Sequence, residues 1–393
     1  MTAAPLRAGI LGCGDIAATY AAAIAASPVL ALTAAADRNP DRARALTAAW
    51  GGVPLGSAGE LLDRADIDLM VILTRHFTHA DLTEQALRSG KHVFSEKPLA
   101  MTGARAWQLV RIAADCGVRL ACAPATYLGE AQQTAWAVLR TGLLGQIRVG
   151  YADVNWGRIE TWHPRPQDFY AAGALFDMGV YPLTVLTSFL GPVLEVSATA
   201  DIVLPERQAI GGTRFTLTSP DLVVAMIRFR SGPLIRLTCG FYVDSASRQR
   251  GIELHGDDGS LLMERFYEFG ASVHLARRSA PPVHVPLLKN PPPEPVDYGR
   301  ALADLALAIR AGTPHRASGQ QAAHMVDVLE AIMEATQHGQ RVAVTSEFTP
   351  PQPGAPGLEL PPDETVRDRL AGLLDHRDRA DESPATFWER TDT

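Results

Sequence analysis

Residues 8–17 read "AGILGCGDIA", and the fold turns on how this stretch is understood. Ala8–Leu11 is a short apolar strand, Gly12-Cys13-Gly14-Asp15-Ile16-Ala17 follows at its end, and a helical stretch then runs to Ala26. A glycine at 12 permits a tight turn and one at 14 lets a pyrophosphate approach the backbone. Ala17 keeps small the position where helix packs on strand. Gly-x-Gly-x-x-Ala alone is weak evidence. Here it follows a strand, opens a helix and precedes a second strand, "VLALTAAAD", that ends in Asp37. That context predicts a dinucleotide site, with the pyrophosphate held along Gly12, Gly14, Asp15 and Ile16. Asp37 suits the ribose hydroxyls and repels a 2′-phosphate, which favours NAD. Arg38 is able to hold that phosphate, so NADP stays possible.

The alternation continues outward. "NPDRARALTAAW" has a proline near a helix start and Ala/Leu at helical spacing. "LMVILT" at 69–74 is an unbroken apolar run, as in a strand buried on both faces. "HADLTEQALRSG" is a helix closed by Gly90, His92–Phe94 a strand, 102–116 a helix and "VRLACA" a last strand. The pattern predicts an α/β fold: a doubly wound parallel sheet over residues 1–123. Two stretches invite other readings. From Ile16 to Ala36 no residue is charged, but the run is alanine-rich and broken at Ser27-Pro28, so helix, turn and strand fit better than a membrane span. "ILGC" at 10–13 resembles a lipoprotein cleavage box, yet the apolar run before Cys13 is too short for a signal peptide.

A chain of 393 residues with 47% hydrophobic content suits two buried cores. Lys plus Arg number 36 against 43 Asp plus Glu, a net charge of -7, so no nucleic-acid or membrane partner is expected. Cys13, Cys116, Cys122 and Cys239 form no Cys-x-x-Cys pair and no zinc pattern. No metal is expected, and so few cysteines suit a reducing cytoplasm.

After Ala123 strands dominate, and 124–349 reads as a second domain, followed by a Pro-rich tail, 350–393, with a short helix and a peripheral place. "LVVAMIRFR" and "LIRLTCGFYV" predict an antiparallel hairpin, with Ile235, Leu237, Cys239, Phe241 and Val243 on one face and Arg236, Thr238 and Tyr242 on the other. "GIELHGDDGSLLMERF" predicts another, turned at Asp258-Gly259. Helices are expected near 297–311 and 319–338. In "GALFDMGVYPLTVLTSFLG", 173–191, Asp177 and Tyr181 are four apart on one side of a helix that Pro182 should distort.

At "KHVFSEKPLA", 91–100, a strand end carries Glu96, Lys97 and Pro98. Proline pushes Lys97 into an extended conformation at the edge of an α/β sheet where ligands bind. With Gly12–Ala17 and Asp177-Met178-Gly179-Val180-Tyr181, this sequence resembles the glucose–fructose oxidoreductase, inositol dehydrogenase and MocA family over roughly residues 5–345. The resemblance implies a Rossmann domain and a C-terminal α+β domain on a large, mainly antiparallel, open-faced sheet. It implies a catalytic Lys97 beside the nicotinamide, with Asp177 and Tyr181 across the cleft. The tyrosine resembles the glucose–fructose oxidoreductase, dimeric dihydrodiol dehydrogenase and xylose dehydrogenase branches. The family's Thr-Pro-x-x-x-His stretch appears as Thr74 to His79 with Arg75 for proline, and its triple glycine as Ala171-Ala172-Gly173. Thr74, His79, Glu96 and Lys97 thus join the expected cofactor residues.

A hydroxyl that loses hydride also loses a proton. A phenol is too weak a base at its usual value of about 10, and a nearby ammonium lowers it. Lys97 supplies that charge, Glu96 pairs with or supports it, and Asp177 suits orienting the substrate hydroxyl; the proton acceptor is left open. In 155–170 the side chains of Trp156, Arg158, Trp162, His163 and Arg165 suit a polyhydroxylated ligand. The expectation is an NAD(P)-dependent dehydrogenase or reductase of a sugar, polyol or sugar derivative. The alternatives are a trans-dihydrodiol-type dehydrogenase and a non-catalytic dinucleotide-sensing regulator. The uncovered hairpin face and the family's sheet pairing predict a homodimer or homotetramer.

Overall fold

The computed structural model describes residues 4–244, 246–278, 280–375 and Trp388. Two units share the chain: residues 1–125 with 297–327, and 126–296 with 328–393. The first is built on β1 (Leu6–Leu11), α1 (Ala17–Ala26), β2 (Leu30–Ala36), α2 (Pro40–Trp50), β3 (Val53–Leu55), α3 (Ala58–Leu62), β4 (Leu69–Ile72), α4 (His79–Arg88), β5 (His92–Ser95), α5 (Gly103–Asp115) and β6 (Leu120–Cys122). The strands lie in the order β3-β2-β1-β4-β5-β6, all parallel. All four residues of β4 are fully buried, as a strand covered on both faces requires. The direction of winding reverses between β1 and β4, so the loops after them part to opposite sides of the sheet and leave a crevice at their ends. The uncharged run Ile16–Ala36 is α1, a turn and β2. β3 and α3 were too short to leave a periodic signal.

The second unit contains α6 (Glu130–Arg140), β7 (Ile147–Asn155), α7 (Gln167–Ala174), a π turn (Leu175–Gly179), α8 (Val180–Leu190), β8 (Val193–Asp201), β9 (Glu206–Gln208), β10 (Arg214–Thr216), β11 (Leu222–Phe229), β12 (Leu234–Gly240), β13 (Gly251–Gly256), β14 (Gly259–Met263), β15 (Val273–Arg277) and β16 (Val283–Val285). Two further helices follow, α9 (Gly299–Ala311) and α10 (Gly319–His338), then β17 (Val342–Ala343) and α11 (Asp363–Asp375). Segment 297–327, which the strand-rich pattern assigned to the second region, belongs to the first unit. Nine strands form one sheet, β16-β15-β14-β13-β7-β12-β11-β8-β17, parallel only at β7–β12.

The hairpin β11–β12 pairs Ile227 with Ile235, and Ile235, Leu237, Cys239 and Phe241 are fully buried. Val243 and Tyr242 depart from the expected faces, because the strand ends at Gly240. The second hairpin turns one residue earlier than expected, at Asp257-Asp258, since Gly259 already pairs with Arg277. A Cβ on Gly259 would lie 2.5 Å from the Ala276 carbonyl oxygen. The tail is not peripheral over its described part. Val366, Leu370 and Leu373 of α11 are fully buried, Arg140 pairs with Asp363 at 3.0 Å, and the amide of Gly354 donates to Gln133 Oε1 at 2.7 Å. The remainder, except Trp388, lies outside the described residues.

Candidate active site

The nucleotide loop fits its expected ligand on steric grounds. Gly12 has φ of 98°, and a Cβ there would lie 2.8 Å from the Leu73 carbonyl carbon at the end of β4. Only glycine meets both demands. Around Gly14 the space where a Cβ would sit is open, with nothing within 4 Å. α1 begins at Ala17, with no side-chain cap from Ile16 and no acidic residue in its first turn, leaving amides of that turn for an anion. Asp37 stands at the end of β2. Its Oδ2 accepts the Cys13 amide and its Oδ1 the Asn39 amide, both at 2.8 Å. Each oxygen keeps a further lone pair for a ribose hydroxyl. Arg38 and Asp15 are exposed. Burial, with Asp37 adding to it, pushes the Cys13 thiol up to about 12, so it stays protonated.

The ends of β4 and β5 are tied together by His79, which is 1% exposed. Its Nδ1 lies 2.9 Å from the Pro98 carbonyl oxygen and its Nε2 2.8 Å from that of Thr74. His79 therefore acts on the site through the backbone of Thr74 and Pro98. The Lys97-Pro98 peptide is cis. Glu96 and Lys97 are partly buried between buried Ser95 and Pro98. Glu96 Oε2 accepts the amide of Lys97 at 3.0 Å, and its Oε1 accepts the Tyr20 hydroxyl at 2.7 Å. Tyr20 lies in α1, and nothing local in the sequence marked it.

In the second unit the segment expected as one helix from 173 is three pieces. Gly173, near the end of α7, has φ of 78° and ψ of 156° and breaks the helical backbone there. The π turn then carries Asp177, a feature common at functional sites. The π turn runs into α8 through helical Gly179 and Val180, so the expected distortion lies directly before Pro182. The stretch 167–190 is long and apolar enough to cross a membrane by length and composition, but 67% of its most apolar window is buried as core. Asp177 and Tyr181 are partly exposed beside buried Met178, Gly179 and Val180. The Tyr181 ring lies 6.5 Å from Phe266. Cys239 donates to the Ala174 carbonyl at 2.9 Å, and burial, aided by Asp177, pushes its thiol far up.

Segment 155–170 divides into two groups. Trp156 packs edge-on against Tyr267 at 5.4 Å. Trp162, 50% exposed, His163 and Phe169 form an aromatic cluster, with His163 and Phe169 centroids 4.7 Å apart. His163 Nδ1 accepts the Arg165 amide at 3.1 Å, while the Arg158 and Arg165 side chains are exposed. Beneath them lies a group the sequence did not reveal. Arg207 of β9, its side chain fully buried, donates to Glu160 Oε1 at 2.8 Å and to Asp221. The Tyr170 hydroxyl donates to Glu160 as well. The Arg207 guanidinium also lies 5.2 Å from the Tyr170 ring and 5.9 Å from that of Tyr242, which explains where Tyr242 turns after leaving β12. Burial raises the Glu160 carboxyl, and the Tyr170 and Arg207 hydrogen bonds more than offset it, for a net lowering. Among the described residues no cluster of His, Cys, Asp and Glu suits a metal ion.

Residues 6–123 match the model of an oxidoreductase family with an NAD-binding Rossmann fold, and residues 132–262 match a GFO/IDH/MocA C-terminal domain. The chain is 32% identical to a dTDP-3,4-didehydro-2,6-dideoxy-alpha-D-glucose 3-reductase of Actinomadura kijaniata, over 70% of this chain and 80% of that one. It is 26% identical to an inositol 2-dehydrogenase of Rhizobium meliloti (strain 1021), over 71% and 82%. Its fold superposes on a crystal structure of a mutant 3-ketoreductase from Actinomadura kijaniata in complex with TDP-benzene and NADP. The TM-score is 0.68 at 25% identity, covering 84% of this chain and 98% of that one.

Proposed function

This chain belongs to the Gfo/Idh/MocA family of NAD(P)-dependent oxidoreductases, and on that premise we propose that it moves hydride at a hydroxyl-bearing or carbonyl carbon of a sugar, polyol or sugar derivative. The observation that carries the reading is the strand end of β5. There Lys97 is fixed by its neighbour's carboxylate on one side and by His79, through Pro98, on the other. When bound, the dinucleotide supplies the hydride acceptor or donor at its nicotinamide. Gly12, Gly14 and the first turn of α1 bind the pyrophosphate. Lys97 and Tyr181 are the groups we assign to proton transfer, and Asp177 the one we assign to orienting the reacting hydroxyl. Trp156, Trp162 and His163 offer aromatic faces to sugar C–H groups. The test is turnover with both cofactors on a panel of polyols, aldoses, keto sugars and nucleotide-linked keto sugars. The last class is included because the Actinomadura kijaniata relative is named for one. Absence of turnover on every class, with cofactor bound, would overturn the reading.

NAD is the expected cofactor over NADP, because a 2′-phosphate would meet the Asp37 carboxylate already fixed by two amides. Fluorescence titration should give tighter NADH binding. Asp37→Ser should weaken NADH by about tenfold or more, since hydrogen bonds to a charged group are worth roughly 1.5–3 kcal/mol. NADPH should lose nothing, and tighter NADPH binding to the unaltered protein would reverse the assignment.

We also propose a homodimer or homotetramer closed across the open face of the nine-stranded sheet. One cross-strand row on that face runs Met226, Arg236, Tyr151, Glu253, Leu262. Met226 and Tyr151 are each 37% exposed, and Arg236 bonds Asp153 at 2.7 Å. Such a patch on a sheet suits an isologous contact. Light scattering at micromolar concentration should give an oligomer, and Met226→Glu should yield monomers. A monomeric unaltered protein would rule this out. The four cysteines are free, which supports our placing the chain in a reducing cytoplasm.

A further inference from the structure

We propose that Tyr20 and Tyr298 are positioning residues for the proton-transfer step, acting through Glu96 on Lys97. The inference rests on the reading of Lys97 as a catalytic group. Tyr20 is 1% exposed, so its hydroxyl has no water to turn to, and it donates to Glu96 Oε1 at 2.7 Å. The other oxygen of Glu96 takes the Lys97 amide at 3.0 Å. A single carboxylate thus links α1 to the backbone of the lysine. Without the Tyr20 donor, Glu96 is free to rotate, and Lys97 loses a fixed backbone on one side.

Tyr298 closes this arrangement from a distant part of the chain. Its ring packs edge-on against that of Tyr20, centroids 5.4 Å apart, while Phe94 of β5 lies 5.8 Å away on another side of Tyr20. The start of α9 is pressed onto α1. A Cβ on Gly299 would lie 2.6 Å from the Ala23 Cβ, and the Gly299 amide is held by Asp297 Oδ1 at 2.9 Å. Tyr298 has no room to withdraw along that path. Its phenol is raised from the ordinary value by burial and by Glu96, with Lys97 opposing, so it senses both members of the pair. The role is one of placement: Tyr298 holds the Tyr20 ring, Tyr20 holds Glu96, and Glu96 holds the lysine's backbone.

The experiment is a double-mutant cycle on the full-length protein, with a substrate on which Lys97→Ala has lost activity. Tyr20→Phe keeps the ring and removes one hydroxyl. It should lower kcat about tenfold, the scale of one hydrogen bond to a charged acceptor. KM and the NADH dissociation constant should stay within about twofold, because the dinucleotide is held elsewhere, at the glycine loop. Glu96→Gln should lower kcat as well, and the double variant should be little worse than the worse single one, since both changes break one link. Tyr298→Leu should reproduce the kcat loss, and Tyr298→Phe, which keeps the ring, should restore most of it. Tyr20→Phe with unchanged kcat, or losses that simply add, would overturn the proposal. So would a parallel loss of NADH binding, which would make Tyr20 a cofactor support. If Lys97→Ala itself retains full activity, the failure is that of the catalytic reading instead.

Discussion

Lys97→Ala and Tyr181→Phe are each expected to lower kcat by roughly 10²–10⁴ fold, the usual range for groups that move protons in the rate-determining step. Neither should disturb NADH binding, because the reading assigns the pyrophosphate to Gly12, Gly14 and the start of α1. On the proposed reading the two serve one proton transfer, so the double variant should be little worse than the worse single variant. Lys97→Arg keeps the charge but not the reach or the compact ammonium, so it should recover only part of the rate. Steady-state and single-turnover kinetics with a fluorescence check on NADH binding make the measurement. Tyr181→Phe at near-normal kcat would make Tyr181 a packing residue beside Phe266 and pass the proton to Lys97, Asp177 or His163.

The second large effect concerns stability. Arg207→Ala should destabilise the protein by about 3–5 kcal/mol, because it leaves two buried carboxylates, Glu160 and Asp221, without their buried cation, and Glu160 keeps only the exposed Arg158 at 3.9 Å. That is a large part of the 5–15 kcal/mol typical of a folded domain. The pH dependence has a defined sign. Glu160 is net lowered in the folded protein, so its contribution is present above its ordinary value of 4.5 and fades as pH falls through the lower folded value. In the variant the burial penalty stands with one of its offsets gone, so protonation relieves it. The gap between the two proteins should therefore be widest near neutrality and narrow below about pH 4.5. Urea unfolding at pH 7 and pH 4 reads both. A loss under about 1 kcal/mol at pH 7 would mean the group relaxes or hydrates when opened. Because Glu160 and Tyr170 flank the aromatic cluster of 162–169, the variant should also raise KM before it unfolds.

Much of the first unit was legible in the sequence because its signals are local. Continuous apolar runs mark strands buried on both faces, and Gly12 is required by a backbone angle and by the strand end that passes over it. Asp37, Lys97-Pro98 and the 177–181 stretch were legible for the same reason: each sits at a strand end or helix turn that its own neighbours announce. What the sequence could not supply was partnership. The partners of Arg207 lie 47 and 14 residues away along the chain, and that of Tyr20 lies 76 away. Periodicity describes one element at a time, so it cannot say which buried charge will meet which. The return of 297–327 to the first unit, the docking of α11 by its buried Val366, Leu370 and Leu373, and the π turn inside one expected helix were decided by packing. Sequence alone marked most of the strand-and-helix order of the first unit and nominated the residues expected to carry chemistry, because local propensity and backbone geometry are written in neighbouring residues. The tertiary structure alone decided how Lys97 is held, because a carboxylate's orientation depends on donors brought to it by distant segments.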